Sequence, residues 1–113
     1  MTSGSEDAVF YEIRRERAKP GRGSDLAHWM AEVVIPIHTE AGMEVVGLFL
    51  DRDDEERFIW IRRFASDEER ERVVDAAHAH PRFAADIEPL ASELLDGEAE
   101  TTRLIPMPGQ RIF

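Results

Sequence analysis

Residues 44–66, EVVGLFLDRDDEERFIWIRRFAS, decide the fold. Val45, Val46, Leu48, Phe49 and Leu50 make one apolar run, and Phe58, Ile59, Trp60 and Ile61 make a second. Both are strand-length and rich in β-branched and aromatic residues. The acidic turn at 51–56 joins them as a hairpin, so strands 44–51 and 57–64 run antiparallel. Successive side chains point to opposite faces, which makes both faces of the hairpin apolar. A sheet with one side in water alternates apolar and polar instead. One face therefore calls for helices, and in a chain of 113 residues the other calls for a second copy of the protein.

Outward from the hairpin the elements fall into place. Residues 9–18 alternate, with Val9, Tyr11 and Ile13 on one side and Phe10, Glu12 and Arg14 on the other; this is a strand whose second half is expected to be solvated. Pro20, Gly21 and Gly23 make a turn. Ser24 or Asp25 can cap a helix, and Leu26, Trp29, Met30, Val33 and Ile37 follow at helical spacing. Pro36 removes a backbone donor late in that helix, so a kink or loose turn is expected there. Gly42 is placed to close it in a left-handed conformation. Ser66 and Glu69 form a capping box for a helix through Val73, Val74, Ala76 and Ala77. Pro81 restarts it, and Phe83, Ile87, Leu90 and Leu94 continue it, with a break at Pro89 and an end at Gly97. Residues 98–105 read as a last strand and 106–113 as an extended tail. The order is β-α-β-β-α-β: α+β, ferredoxin-like, one antiparallel four-stranded sheet with both main helices on one face. Residues 8–113 form one domain by size, behind a flexible tail, 1–7.

Composition excludes several classes. The net charge of −10 argues against nucleic acid and an anionic membrane surface, with 14 basic and 24 acidic residues. There is no cysteine, hence no disulfide, thiolate zinc site or cysteine nucleophile. No apolar run approaches the ~20 residues of a membrane span, and the acidic start lacks the profile of a signal or transit peptide. The chain reads as cytoplasmic, and as bacterial from its arginine usage, Lys19 being its only lysine.

Four segments together resemble the NIPSNAP family, a branch of the dimeric α/β-barrel superfamily. They are Tyr11-Glu12-Ile13-Arg14 with Lys19-Pro20-Gly21; Ile35-Pro36-Ile37 leading through Gly42 to Val46-Gly47-Leu48-Phe49; Ile61 to Ser66 with Glu69-Arg70 and Pro81-Arg82-Phe83; and Arg103 to Pro108. Arg62 and Ala65 depart from the family pattern, which often has an aromatic and an acid there. The resemblance implies a homodimer whose two sheets face each other. It does not select a reaction, since fold analogy carries none.

Each candidate site has a bland counterpart. His28 and Glu32 lie four apart on the first helix, as a surface ion pair or as an oriented proton-transfer pair. His38 and Glu40 follow Pro36, as solvated turn residues or as a ligand site at a frayed helix end. His78 and His80, two apart, point about 200° from each other on a helix, which disfavours metal chelation. No histidine of the chain is expected to have a partner that fixes its ring, and His78 and His80 are expected near a solvated helix end. Trp60, Phe58, Arg62 and Phe64 share one strand face, which offers aromatic walls and a cation to an acidic or planar ligand; the bland role for Arg62 is an ion pair with Glu12. Gly21-x-Gly23 lacks the rest of a phosphate loop, and the acidic clusters at 51–56 and 67–71 lack a calcium pattern. Gly47 in mid-strand calls for a bulky neighbour over it, such as Trp29 or Trp60.

Two functions fit. The first is a NIPSNAP-like dimeric barrel that binds a small molecule or a partner protein, with no cofactor and no metal. The second is a small cofactor-free oxygenase or isomerase, with its pocket between the first helix and the sheet. There, His28 or His38 would handle the proton, and Tyr11 and Trp60 would form the walls. The resemblance also implies a haem-degrading variant of this second reading, because some barrel relatives pair a helix histidine with a strand tryptophan; here His78 or His80 would pair with Trp60.

Overall fold

The structure, a computed structural model, describes residues 9–109. The expected tail at 1–7 and the end of the expected C-terminal tail lie outside the described residues. The chain runs through β1 (Phe10–Arg17) into α1 (Gly23–Trp29), which passes through a π-helical turn (Met30–Val34) into α2 (Ile35–Glu40). β2 (Glu44–Asp51) and β3 (Asp54–Phe64) form the hairpin. Then come α3 (Asp67–His78), a second π-helical turn (Phe83–Ile87), α4 (Glu88–Leu94) and β4 (Glu100–Leu104). The sheet is antiparallel in the order β2-β3-β1-β4, so the ferredoxin-like α+β arrangement holds.

Alternation sorts the sheet residues. Phe10, Glu12 and Glu16 of β1 and Phe58, Trp60, Arg62 and Phe64 of β3 are buried under the helices. Leu26, Trp29, Met30, Val34 and Ile37 from the first helical run, with Val73, Ile87 and Leu94 from the second, complete the core. The second half of β1 is only partly solvated, against the expectation from its charges: Glu16 is 6% exposed, and Arg14, Arg15 and Arg17 are half-buried. Arginines on neighbouring strands neutralise Glu12, which is 0% exposed, and Arg14 of the same strand neutralises Glu16. Register places Glu12 between Arg62 and Arg103, and Arg14 beside Trp60.

Several local expectations shift by small amounts. The first helix begins at Gly23 with no side-chain cap; Asp25 instead accepts from Arg22 Nε at 2.8 Å. Gly23 is there because a Cβ would stand 2.0 Å from the Glu55 carbonyl oxygen, where the helix start presses on the hairpin. Ser66 caps the Glu69 amide at 3.0 Å, but the Glu69 carboxylate reaches the Ala65 amide rather than that of Ser66. Gly42 closes α2 at φ 107°. The looseness expected at Pro36 takes the form of the preceding π-helical turn. The chain stays helical through Pro89, again after a π-helical turn. Each such turn ends two residues before a proline, where a missing N–H makes a change of hydrogen-bond register inexpensive. Over Gly47 lies the ring of Phe49, whose Cε1 would be 2.6 Å from a Cβ. Neither tryptophan covers it, because Gly47 pairs with Ile61 on the face away from the helices.

That outer face is apolar and open. Val46, Phe49 and Leu104 are about half exposed. With Tyr11, Ile61 and Pro106 they line a groove of about 750 Å³. Among the described residues, no helix is long and apolar enough to cross a membrane.

Candidate functional site

Between the sheet and the helices lies a second, half-enclosed cavity of about 330 Å³. β3 supplies Trp60 and Arg62, β1 supplies Arg14 and Glu16, α2 supplies His38, and α3 supplies Arg70 and His78. Both π-helical turns open onto it, Met30 and Val34 from the first and Phe83 and Ile87 from the second. They are tied together by Trp29 Nε1, which donates to the Asp86 carbonyl at 3.2 Å. A π-helical turn swings side chains off the ordinary helical face and often sits at a functional site.

The polar wall is built on two carboxylates. Glu16 Oε2 accepts from Trp60 Nε1 at 3.0 Å and from Arg14 Nε at 3.1 Å. Glu12 Oε1 accepts from Nε and Nη2 of Arg62, and its Oε2 from Nε of Arg70 at 2.7 Å and of Arg103 at 3.1 Å. Burial pushes the Glu12 carboxyl up, but Arg62 and Arg70 outweigh that and hold it below the usual carboxylate range. Burial also draws the Arg62 guanidinium down, against the pull of Glu12; it remains charged. The Arg62 guanidinium lies 5.0 Å from the centre of the Trp60 ring, within range of a cation–π contact. Three arginines, Arg14, Arg62 and Arg70, thus line the cavity beside one glutamate, Glu16, in a protein of net charge −10, with Glu12 behind them and Arg103 at the surface.

His38 is 8% exposed and meets Trp60 edge to face, with 5.5 Å between ring centres. Its Nδ1 lies 2.7 Å from the Val34 carbonyl oxygen. A carbonyl only accepts, so Nδ1 carries the proton and Nε2 keeps its lone pair. Burial lowers the His38 pKa below its ordinary value, and the charges of Arg62 and Arg14 and the neighbouring His78 add to that, against the Val34 hydrogen bond. The ring is neutral at pH 7.

The structure brings together His38, Trp60 and Arg62, and does not bring Tyr11 or His28 to them. Tyr11 lines the groove on the opposite face. His28 is exposed and 3.6 Å from Glu32, as an i, i+4 surface pair. The bland reading of Arg62, an ion pair with Glu12, also holds, and it leaves Arg62 on the cavity wall. His78 is exposed at the cavity edge, 4.7 Å from the Phe83 ring centre to centre. His80, expected to be solvated, instead has partners: Nε2 lies 2.9 Å from Glu40 Oε1, and Nδ1 accepts from the Arg82 amide at 3.1 Å. Among the described residues no group of three or more metal-ligating side chains is arranged to hold an ion. Arg14, Glu16 and Arg70 were not legible as site residues. The available signal was the inward register of β1, where two acids and an arginine share a face with Phe10.

This geometry defines a class: a ferredoxin-like domain with a cationic, aromatic-walled cavity under its helices. The NIPSNAP family model matches residues 11–108, and the chain belongs to the NIPSNAP family. Among solved structures, it resembles a NIPSNAP family protein of unknown function from Agrobacterium tumefaciens, at 24% identity and TM-score 0.81 over 95% of this chain and 96% of that one. An uncharacterised NIPSNAP-like domain protein from Burkholderia xenovorans matches at 17% identity and TM-score 0.80, over 94% and 91%. A second Agrobacterium tumefaciens NIPSNAP family protein matches at 22% identity and TM-score 0.78, over 91% and 90%. No curated protein matches.

Proposed function

We propose that the protein is a homodimeric barrel that binds a small, flat, anionic molecule in the cavity beside Trp60. The observation that carries this reading is the convergence of Trp60, Arg62 and His38 on one cavity of about 330 Å³, within the size range of small-molecule sites. The excess of arginine over glutamate on its polar wall favours an anion, and the aromatic rings favour a planar one. The outer apolar face is where the second copy sits. A bacterial, cytoplasmic setting fits the arginine-rich, cysteine-free composition and the bacterial source of the structural neighbours named above.

Tryptophan fluorescence tests the pocket directly, because the chain has two tryptophans and both Trp29 and Trp60 line the cavity. Phenylacetate is expected to quench it saturably, whereas neutral phenylacetamide and cationic phenethylamine do not. Arg62→Ala is expected to abolish the response. Arg14→Gln, at a side chain 29% exposed, weakens it in a protein that stays folded by circular dichroism. Equal quenching by all three probes rules out the anion site.

A further inference from the structure

We infer that the cavity supports proton transfer, with His38 Nε2 as the base acting on the carbon next to the carbonyl of a planar, enolisable carboxylic acid. The inference rests on the pocket reading above and extends it from binding to chemistry.

Three features of the site carry it. First, the His38 tautomer is fixed: Nδ1–H is held by the Val34 carbonyl at 2.7 Å, which leaves Nε2 as the basic atom. Among the described residues, no buried side-chain nitrogen or oxygen lacks a partner. Nε2 has no hydrogen bond among the described residues, so it keeps accessible surface, and the cavity is the space that His38 lines. Second, the ring is neutral in the resting site, with its lone pair free, because burial and nearby positive charge disfavour its protonation. Third, the same wall presents cations for the charge that develops. Among the described residues, Arg14 and Arg70 engage carboxylates through Nε alone, and Arg62 through Nε and Nη2. Their remaining terminal N–H groups are available to an oxyanion and a carboxylate.

The step balances within the site. The Nε2 lone pair takes a proton from the substrate carbon. The C–H bonding pair becomes a carbon–carbon double bond, and the carbonyl π pair moves to oxygen as an enolate held by arginine. The imidazolium, steadied by Nδ1–H on Val34, returns its Nε2 proton to the carbon or to the enolate oxygen. Keto and enol forms thereby interconvert, and when the Nε2 proton is exchanged with cavity water before its return, the carbon takes up a solvent hydrogen. No oxidant, reductant or cofactor is consumed.

Phenylpyruvate is the probe, with a carboxylate, a carbonyl, an enolisable methylene and a flat ring. Its methylene exchange in D2O is followed by proton NMR with and without protein, alongside the tryptophan quench. Exchange faster than the buffer background is expected. His38→Gln is expected to lower the protein-dependent rate by about 10²–10⁴-fold while leaving the quench in place. The wild-type rate is expected to fall on acidification, as His38 takes up a proton. Around His38 the charged or titratable groups are Arg14 and Glu16 on β1, Arg62 on β3, and Arg70 and His78 on α3. His78→Gln should therefore keep the acid limb. If His38→Gln does not fold, that limb in wild type and His78→Gln decides the matter. Saturable quenching without exchange above background overturns the proposal and leaves the pocket standing. So does exchange that survives His38→Gln or ignores pH. Absence of quenching by phenylpyruvate and phenylacetate alike removes the pocket, and the proposal with it.

Discussion

Glu12 shows how one buried residue sets both stability and site. Its carboxylate is fully buried and faces three guanidiniums. A buried pair adds little net stability over a well-packed apolar pair, yet removing one partner strands the other's charge. Glu12→Gln leaves Arg62, 3% exposed, without its counter-charge. Urea unfolding at fixed protein concentration should show a loss of about 3–5 kcal/mol. The same experiment against pH separates Glu12 from His38. Each is held below its ordinary pKa in the folded state, so the unfolded chain binds more protons over the interval between the two values, and stability falls as pH falls. The His38 contribution is complete above about 6.5 and goes first. The Glu12 contribution is complete above about 4.3 and goes later. His38→Gln should erase the upper step and keep the lower one; an unchanged upper step would assign it to another group.

At the scale of elements, local rules and tertiary contact divide the work. Ser66→Ala removes one hydrogen bond at the start of α3 and should cost about 1 kcal/mol, read as a shift of the unfolding midpoint. Gly23→Ala should cost more, because the obstruction is the Glu55 backbone and cannot swing aside. Gly47→Ala meets only the Phe49 ring, half exposed and able to rotate away, so its effect should be smaller. If Gly23→Ala proved as mild as Gly47→Ala, the helix start would not be wedged against the hairpin. This contrast also marks what the chain discloses when read alone. Ser66, Gly42 and the two apolar runs carry their meaning within a few residues, so the element order and fold were legible. The need for Gly23 arises from Glu55, some thirty positions away, and no local pattern carries it. The site divides the same way. Trp60 and Arg62 share a strand face by simple alternation and were legible as a pair. His38 was legible as a candidate, but its fixed ring depends on the Val34 carbonyl beside a π-helical turn, which the spacing of Leu26, Trp29, Val33 and Ile37 does not reveal. Arg14, Glu16 and Arg70 read as surface charges until register and packing place them around a cavity.

For the whole molecule, the unresolved account is charge and apolar surface together. The acids dominate the chain, while four arginines gather on the helix side of the sheet around Glu12 and Glu16. The opposite side of the sheet carries Tyr11, Val46, Phe49, Ile61 and Leu104 around an open groove. An apolar face of that kind is rarely left in water by a monomer, and it is the face the helices do not cover. A second copy placed there closes two sheets against each other and leaves both cavities on the outside of the sheet pair, reachable between the helices. Such a dimer should bury well over about 1,000 Å² in total. Sedimentation at low micromolar concentration should show a species of twice 12.9 kDa. Phe49→Asp places a charge at a position half exposed in the single chain, so it should be tolerated by the fold and not by the pair. The variant should sediment as a monomer with unchanged circular dichroism. It should also keep the phenylacetate quench, since Phe49 is not on the cavity wall. A wild-type chain that sediments only at 12.9 kDa would refute the face-to-face pairing.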